Sequence, residues 1–346
     1  MTTFLQSIGY DPEFYGEYDN YIGRVCGESQ NVYKIICDDT MVRTAENMHK
    51  ENHPIVGDWV TYTKNGDNGA VITNILPRKT VLYRNKGNRL EKYFIAANID
   101  YGIIVMAADR DFSVNRLERY LTIVTRSKII PIIILNKIDL IGLAEKNQMM
   151  SDITERQKQY TLLTASMNSD DDAEKIKKCM LSGKTYSFIG SSGVGKSTII
   201  SKVLGGTELK TENISNFSDR GQHTTTSRQL LIMPDGGVLI DTPGLREIGI
   251  SLDGTDAGEV FSDIQQYAQK CKFRNCTHTS EPGCAVKNAI DAHALNPDKF
   301  ENFNKIRRES EYYNSTAYEK KKKDKKFGKM VKSLKSFRKN KKDRFP

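Results

Sequence analysis

The chain has 346 residues, 38% hydrophobic and 27% charged, a length for two or three domains and a composition able to fold them; a fibrous or wholly disordered protein is excluded. No apolar run approaches the roughly 20 residues that cross a bilayer. The opening MTTFLQSIGYDPEFYGEY also lacks a basic segment followed by an apolar one, so neither a membrane span nor a secretory signal is expected, and the chain reads as cytoplasmic. Formal charge is +9, yet 320–346 carries 14 Lys and Arg against Asp324 and Asp343, which leaves the preceding 319 residues near −3. The basicity is a tail.

Residues 1–20, aromatic and acidic, read as an arm that packs on another part of the molecule. From 21 to 84, short alternating stretches (YIGRVCG, NVYKIICDD, GDWVTYTK, GAVITNILP) are separated by turns such as NGDNG. They predict a small all-β unit of about five strands, an OB-like barrel with an SH3-like barrel as its competitor. Trp59, the only tryptophan, reads as a packing residue of that barrel in preference to a base-stacking platform. Over 85–255 the texture changes. Continuous apolar runs at 101–108 and 129–135 bracket a helical stretch near 114–127, and the alternation continues through YTLLTAS, TYSFIG, a helix at GKSTIISKVL and a hairpin-like RQLLIMPDGGVLID. Such runs alternating with helices predict an α/β domain built on a buried parallel sheet. Residues 256–319 hold a cysteine cluster and short helices near 286–294 and 298–313, and 320–346 is the Lys-rich tail.

Gly190, Ser191, Ser192, Gly193, Val194, Gly195, Lys196 and Ser197 match GxxxxGK[ST] between an apolar strand and a helix, the setting that a phosphate loop requires. Its glycines let backbone N–H groups turn inward around a β-phosphate, Lys196 adds a charge for the β/γ oxygens, and Ser197 is a Mg²⁺ ligand. Thr198 completes the nucleotide-binding run. Asp241, Thr242, Pro243 and Gly244 follow the strand GVLI: Asp241 is placed to hold Mg²⁺ through water, and the Gly244 N–H to meet the γ-phosphate. Asn136, Lys137, Ile138 and Asp139 end the strand PIIIL. A carboxylate at 139 accepts both N1–H and the N2 amine of guanine, and adenine would leave it unmatched. Lys137 packs its stem along the ring, and Thr164, Ala165 and Ser166, after another strand, offer a backbone N–H to O6. The implied ligands are GTP or GDP with Mg²⁺.

In ordinary small GTPases the phosphate loop comes first. Here the base-reading segments precede it, and the switch threonines and DxxG follow, so the domain is a circularly permuted P-loop GTPase whose strands position the same loops. Among Thr224, Thr225 and Thr226, Thr225 is the favoured Mg²⁺ and γ-phosphate ligand. The position after DxxG is Leu245, which cannot orient a nucleophilic water. His223 beside the threonines has the right chemistry for that task, the alternative being a histidine that packs or touches RNA.

Cys271, Cys276, His278 and Cys284 form C-x4-C-x-H-x5-C, a Cys₃His set with four protein ligands and therefore a closed, structural Zn²⁺ site. The basic residues of the barrel (Arg24, Lys34, Arg43, Lys50, Lys64, Arg78, Lys79) and the terminal polycation suit structured RNA. A solvated barrel face is the alternative, and the tail also has the makings of an amphipathic membrane helix, ranked lower because its apolar positions are few.

GDWV at 57–60, RLERYL at 116–121, NKID, GSSGVGKST, GQHTTT at 221–226, DTPGLRE at 241–247 and the cysteine segment ending EPGCAV together resemble the ribosome small subunit-dependent GTPase A family. The resemblance spans nearly the whole chain. It implies an N-terminal OB-fold, a permuted GTPase and a C-terminal α-helical zinc-binding domain that engage the 30S subunit and its 16S rRNA in late maturation, with GTP hydrolysis stimulated by the subunit and His223 as the catalytic histidine. DNA is not an expected partner, and nothing in the sequence suggests a dimer seam, so a monomer is expected. A GTP-gated rRNA-binding switch with incidental hydrolysis, and a non-ribosomal regulatory GTPase, are the competing functions.

Overall fold

The computed structural model describes residues 3–16, 18, 20–29, 32–48, 52–85, 92–205, 229–234, 236–241 and 258–314. The arm holds two one-turn helices, α1 (Phe4–Ser7) and α2 (Pro12–Tyr15). Each is set by its start: Thr3 and Gln6 make a capping box, and Asp11 caps a helix that opens on Pro12. Five strands follow, β1 (Tyr21–Ser29), β2 (Val32–Cys37), β3 (Val42–Asn47), β4 (Trp59–Asn65) and β5 (Gly69–Ile75). They pair in the order β1-β2-β3-β5-β4 and close through β1 against β4, with β3 and β5 parallel. That closed five-strand order is the OB arrangement. Alternation puts Val25, Tyr33, Ile35, Val60, Tyr62 and Ile72 inside, where they form a separate core.

Trp59 is fully buried, as a packing residue should be. Tyr10 meets it edge-on at 5.1 Å between ring centroids and Tyr15 lies at 6.2 Å, so the arm closes over one end of the barrel. The basic residues behave differently from the reading that placed them on an RNA-facing surface. Arg24 is fully buried; it donates to the carbonyls of Ile8, Gly57 and Asn98 and to Thr185 Oγ1, joining arm, barrel and the following domain. Burial pushes its pKa down to about 10, which still leaves it charged at neutral pH. Arg43 is buried against Asp39, Arg78 pairs with Asp58 and Lys79 with Asp11. Lys64 lies with its ammonium 4.5 Å over the Tyr21 ring, and Lys50 lies outside the described residues.

Strands β6 (Val81–Asn85) and β7 (Lys92–Ala97) pair antiparallel as a separate two-stranded sheet at the point where the sequence texture changes. Beyond it run β8 (Tyr101–Ala107), α3 (Val114–Arg126), β9 (Ile130–Asn136), α4 (Leu143–Gln157), β10 (Thr161–Ala165), α5 (Asp170–Lys178), β11 (Thr185–Ile189), α6 (Lys196–Val203), β12 (Gln229–Ile232) and β13 (Val238–Asp241). The sheet order is β10-β9-β8-β11-β13-β12, parallel except for β12. One bridge, Gly27 to Gln229, continues it into the barrel.

Both faces of this sheet are covered, which is why its strands are apolar throughout rather than alternating. In β8, Ile103 and Val105 point to the core shared with α5 and α6, and Ile104 and Met106 point to the opposite core. That second core continues through Leu117 and Leu121 of α3 into the C-terminal helices α7 (Ser262–Ala268), α8 (Ala285–Asp291) and α9 (Pro297–Asn314), by way of Val260, Ile264, Val286 and Ile306. A buried polar cluster crosses the same seam. Glu118 of α3, fully buried, accepts from Arg156 and Gln157 of α4 and from Asn302 of α9, and Lys299 Nζ donates to the Arg156 carbonyl and to Asp263.

Candidate nucleotide site and metal cluster

β11 is buried at all five positions and delivers the chain to Gly190 at the carboxyl edge of the sheet. Gly190, Gly193 and Gly195 have φ of 150°, 80° and 98°, values that favour glycine. Space adds to the demand: a Cβ on Gly190 would lie 2.4 Å from the Val105 carbonyl oxygen, and one on Gly195 2.3 Å from Asn136 Nδ2. Lys196, the first residue of α6, rests its ammonium on the Gly190 and Ser191 carbonyls at 2.7 and 2.6 Å. Ser192, Gly193, Ser197 and Thr198 are exposed, and Val194 is buried.

The segments split along the chain meet here. Asn136, 2% exposed, donates from Nδ2 to the Val194 carbonyl at 2.9 Å, so the end of β9 is bonded to the phosphate loop although 58 residues separate them. β10 lies parallel to β9 with Ala165 opposite Asn136, which sets the Thr164-Ala165-Ser166 turn beside NKID. Lys137, at φ 63°, turns the chain into a short 3-10 turn and points its ammonium at Asp109, 3.5 Å away. Asp139 is exposed. Hydrogen bonds from the Ser166 hydroxyl and from Asn168 Nδ2, the latter at 2.9 Å, hold its carboxyl below the ordinary value of 3.8, so it is ionised at neutral pH. Of the N–H groups in that turn, the one of Ser166 is already bonded to Asp172 Oδ2. Asp241 ends β13 next to β11, with Ile240 opposite Ser187. Gly244, His223, Thr224, Thr225 and Thr226 lie outside the described residues.

Three contacts here had no counterpart in the motif reading: Asn168 on Asp139, and Arg116 and Tyr120 of α3 on Ser191. The only advance signal was RLERYL, an amphipathic turn with more charge than a helix packed on a sheet needs.

The metal cluster is compact. The ligand atoms of Cys271, Cys276, His278 and Cys284 all lie within 4.8 Å of one another. Nδ1 of His278 is 3.6 Å from Cys271 Sγ and 3.5 Å from Cys284 Sγ, and those two sulfurs are 4.0 Å apart. With bond lengths of about 2.0–2.3 Å to N and S, a tetrahedral zinc requires edges of about this length, so the residues fit the ion. The backbone supports it: Lys287 N–H donates to Cys284 Sγ at the start of α8, and Glu281 ties the turn through Thr277 and Thr279. Burial alone would raise the Cys271 thiol, but hydrogen bonds from the Val286 and Ala285 N–H groups and from Cys276 and Cys284 together lower its pKa. The Cys276→Ser protein is expected to lose its zinc by metal analysis; a full metal complement in that variant would contradict the ligand set.

A family model described as RsgA GTPase matches residues 75–251, more than half of the chain. The chain belongs to the RsgA GTPase family. Its relatives include the small ribosomal subunit biogenesis GTPase RsgA 2 of Lactiplantibacillus plantarum, 38% identical over 86% of this chain and 85% of the relative. Another is RsgA 1 of Bacteroides thetaiotaomicron, 34% identical over 92% and 91%. Among solved structures, YjeQ from Thermotoga maritima superposes with a TM-score of 0.64 at 24% identity, covering 84% of this chain and 98% of that one. YloQ, titled a circularly permuted GTPase, gives 0.64 at 23% identity over 87% and 99%. The permuted fold expected from motif order is therefore that of the RsgA family, with its barrel in the N-terminal region and the Cys₃His cluster in the C-terminal region. No helix among the described residues is long and apolar enough to cross a membrane.

Proposed function

We propose that this RsgA-family chain binds GTP with Mg²⁺, docks on the maturing small ribosomal subunit through 16S rRNA, and hydrolyses GTP to GDP in response to the subunit. The observation that carries the nucleotide half is the bond from Asn136 Nδ2 to the Val194 carbonyl, which supports a single pocket formed by base-reading and phosphate-binding segments. The relatives' names, small ribosomal subunit biogenesis GTPase, carry the other half.

In this reading Asp139 selects guanine, with Lys137 along the base and Thr164, Ala165 and Ser166 behind O6. The N–H groups of 190–198 surround the phosphates, and Lys196 leaves its two carbonyls for the β/γ oxygens. When bound, Mg²⁺ would supply positive charge against the negative charge that develops on the phosphates. Ser197, Thr225 and, through water, Asp241 hold it, and Gly244 meets the γ-phosphate. Cys271, Cys276, His278 and Cys284 hold one zinc that serves as the core of a small knuckle. The chain acts where ribosomes mature, in the cytoplasm, and as a monomer.

His223 orients the attacking water, since Leu245 cannot. Its place in the sequence beside the switch threonines links hydrolysis to the subunit through that segment. His223→Ala is expected to lower subunit-stimulated turnover by about 10²–10⁴, the usual worth of positioned acid–base help, while GTP affinity is retained. Unchanged stimulated turnover would remove the residue from the mechanism.

Two measurements test the reading: GTPase rate with and without 30S subunits, and co-sedimentation with those subunits in GTP, GDP and a non-hydrolysable analogue. Stimulated turnover with retention in the analogue is expected. A rate indifferent to the subunit would favour the non-ribosomal regulatory GTPase.

A further inference from the structure

α3 runs behind the phosphate loop, and two of its side chains, four residues apart on one face, reach the same atom. Arg116 Nη1 lies 3.3 Å from Ser191 Oγ, and the Tyr120 hydroxyl lies 3.1 Å from it. The hydroxyl accepts from the guanidinium, which can only donate, and exchanges its remaining bond with Tyr120. Ser191 is the second residue of GSSGVGKS, and its carbonyl carries the Lys196 ammonium at 2.6 Å. One residue thus ties a helix on its side-chain end to the phosphate-binding lysine on its backbone end.

α3 is a firm anchor. Its Ser113 caps the start by accepting from the Arg116 N–H, and between the two anchoring residues Glu118 is fully buried among Arg156, Gln157 and Asn302. Tyr120 is itself 7% exposed, so its ring is held by packing while its hydroxyl faces the loop. A loop with three glycines at positive φ is costly to order, and a loop ordered in advance spares the ligand that cost.

We propose that Arg116 and Tyr120 are positioning residues for nucleotide binding, acting through the Ser191 hydroxyl to hold the phosphate loop in its ligand-ready shape; this rests on the GTP reading above. Because the cost of ordering the loop is the same for both nucleotides, GTP and GDP affinities should fall together, with turnover at saturating GTP little changed.

The test is equilibrium titration of the full chain with GDP and with a non-hydrolysable GTP analogue, folding being checked by thermal melts. Tyr120→Phe, which keeps the ring, and Arg116→Ala should each weaken both ligands about five-fold, the worth of one net hydrogen bond. In a Ser191→Ala background Tyr120→Phe should cost nothing further, because the shared atom is gone. Full affinity in both single variants, or the same extra loss in the Ser191→Ala background, would overturn the inference alone. An unaltered chain that binds neither ligand would overturn the GTP reading, and this inference with it.

Discussion

The Asp139→Asn protein is expected to bind GTP on the order of a hundredfold more weakly, and to accept xanthosine triphosphate in its place. The carboxylate is exposed, and the Ser166 hydroxyl and Asn168 amide bond to it and keep it ionised. An ionised carboxylate accepts from both N1–H and the C2 amine of guanine, each bond to a charged acceptor contributing about 1.5–3 kcal/mol. An amide at this position offers one acceptor and one donor. Its donor faces the guanine amine, so one bond is lost and one contact becomes repulsive, whereas xanthine presents a C2 carbonyl that the amide satisfies. Equilibrium titration of both proteins with both nucleotides reads the exchange. An Asp139→Asn protein with its GTP preference intact would separate this residue from base recognition.

Glu118→Ala is expected to be the most destabilising single change in the described structure, by about 3–5 kcal/mol, the usual consequence of leaving one member of a buried ion pair behind. Glu118 is fully buried and Arg156 9% exposed; without the carboxylate, Arg156, Gln157 and Asn302 lose their common acceptor in a space that water does not reach. Because Asn302 sits on α9, the loss falls on the seam between the nucleotide domain and the C-terminal helices. A drop in melting temperature on the order of 10 °C follows, and α9 amides should exchange faster than those of the barrel. Glu118→Gln, which keeps an acceptor, should lose less. A melting temperature unchanged in Glu118→Ala would mean that the cluster is satisfied some other way.

What was legible in the sequence was local. GSSGVGKS and NKID are contiguous, and their chemistry depends on residues a few positions apart, so their identity and their place at strand ends could be read directly. The order of these motifs also revealed the permutation, because the fold tolerates any chain order that returns each loop to the same edge of the sheet. Partners far apart were not legible. β1 meets β4 and β3 meets β5 across stretches that no short pattern encodes. The β6–β7 pair escaped because the segment between its strands, KGNRLE, is longer than the two-residue turns that announce a hairpin. Arg24 misled for a related reason: a basic residue in an alternating strand looks solvent-facing, and it takes the carbonyls of Ile8, Gly57 and Asn98 and the Thr185 hydroxyl, brought from separate segments, to make its burial tolerable. The α3 contacts on Ser191 are of the same kind, since Arg116 and Tyr120 are followed by about 70 residues before the loop they touch.

In the proposed function, separated segments of this chain converge on one guanine nucleotide. Competition between GTP and ATP for the purified full chain in the presence of Mg²⁺, read as two dissociation constants, tests it most directly. Affinity for GTP on the order of a hundredfold or more above that for ATP is the result the structure leads to. Equal affinity for the two, or no measurable affinity for either, would contradict it.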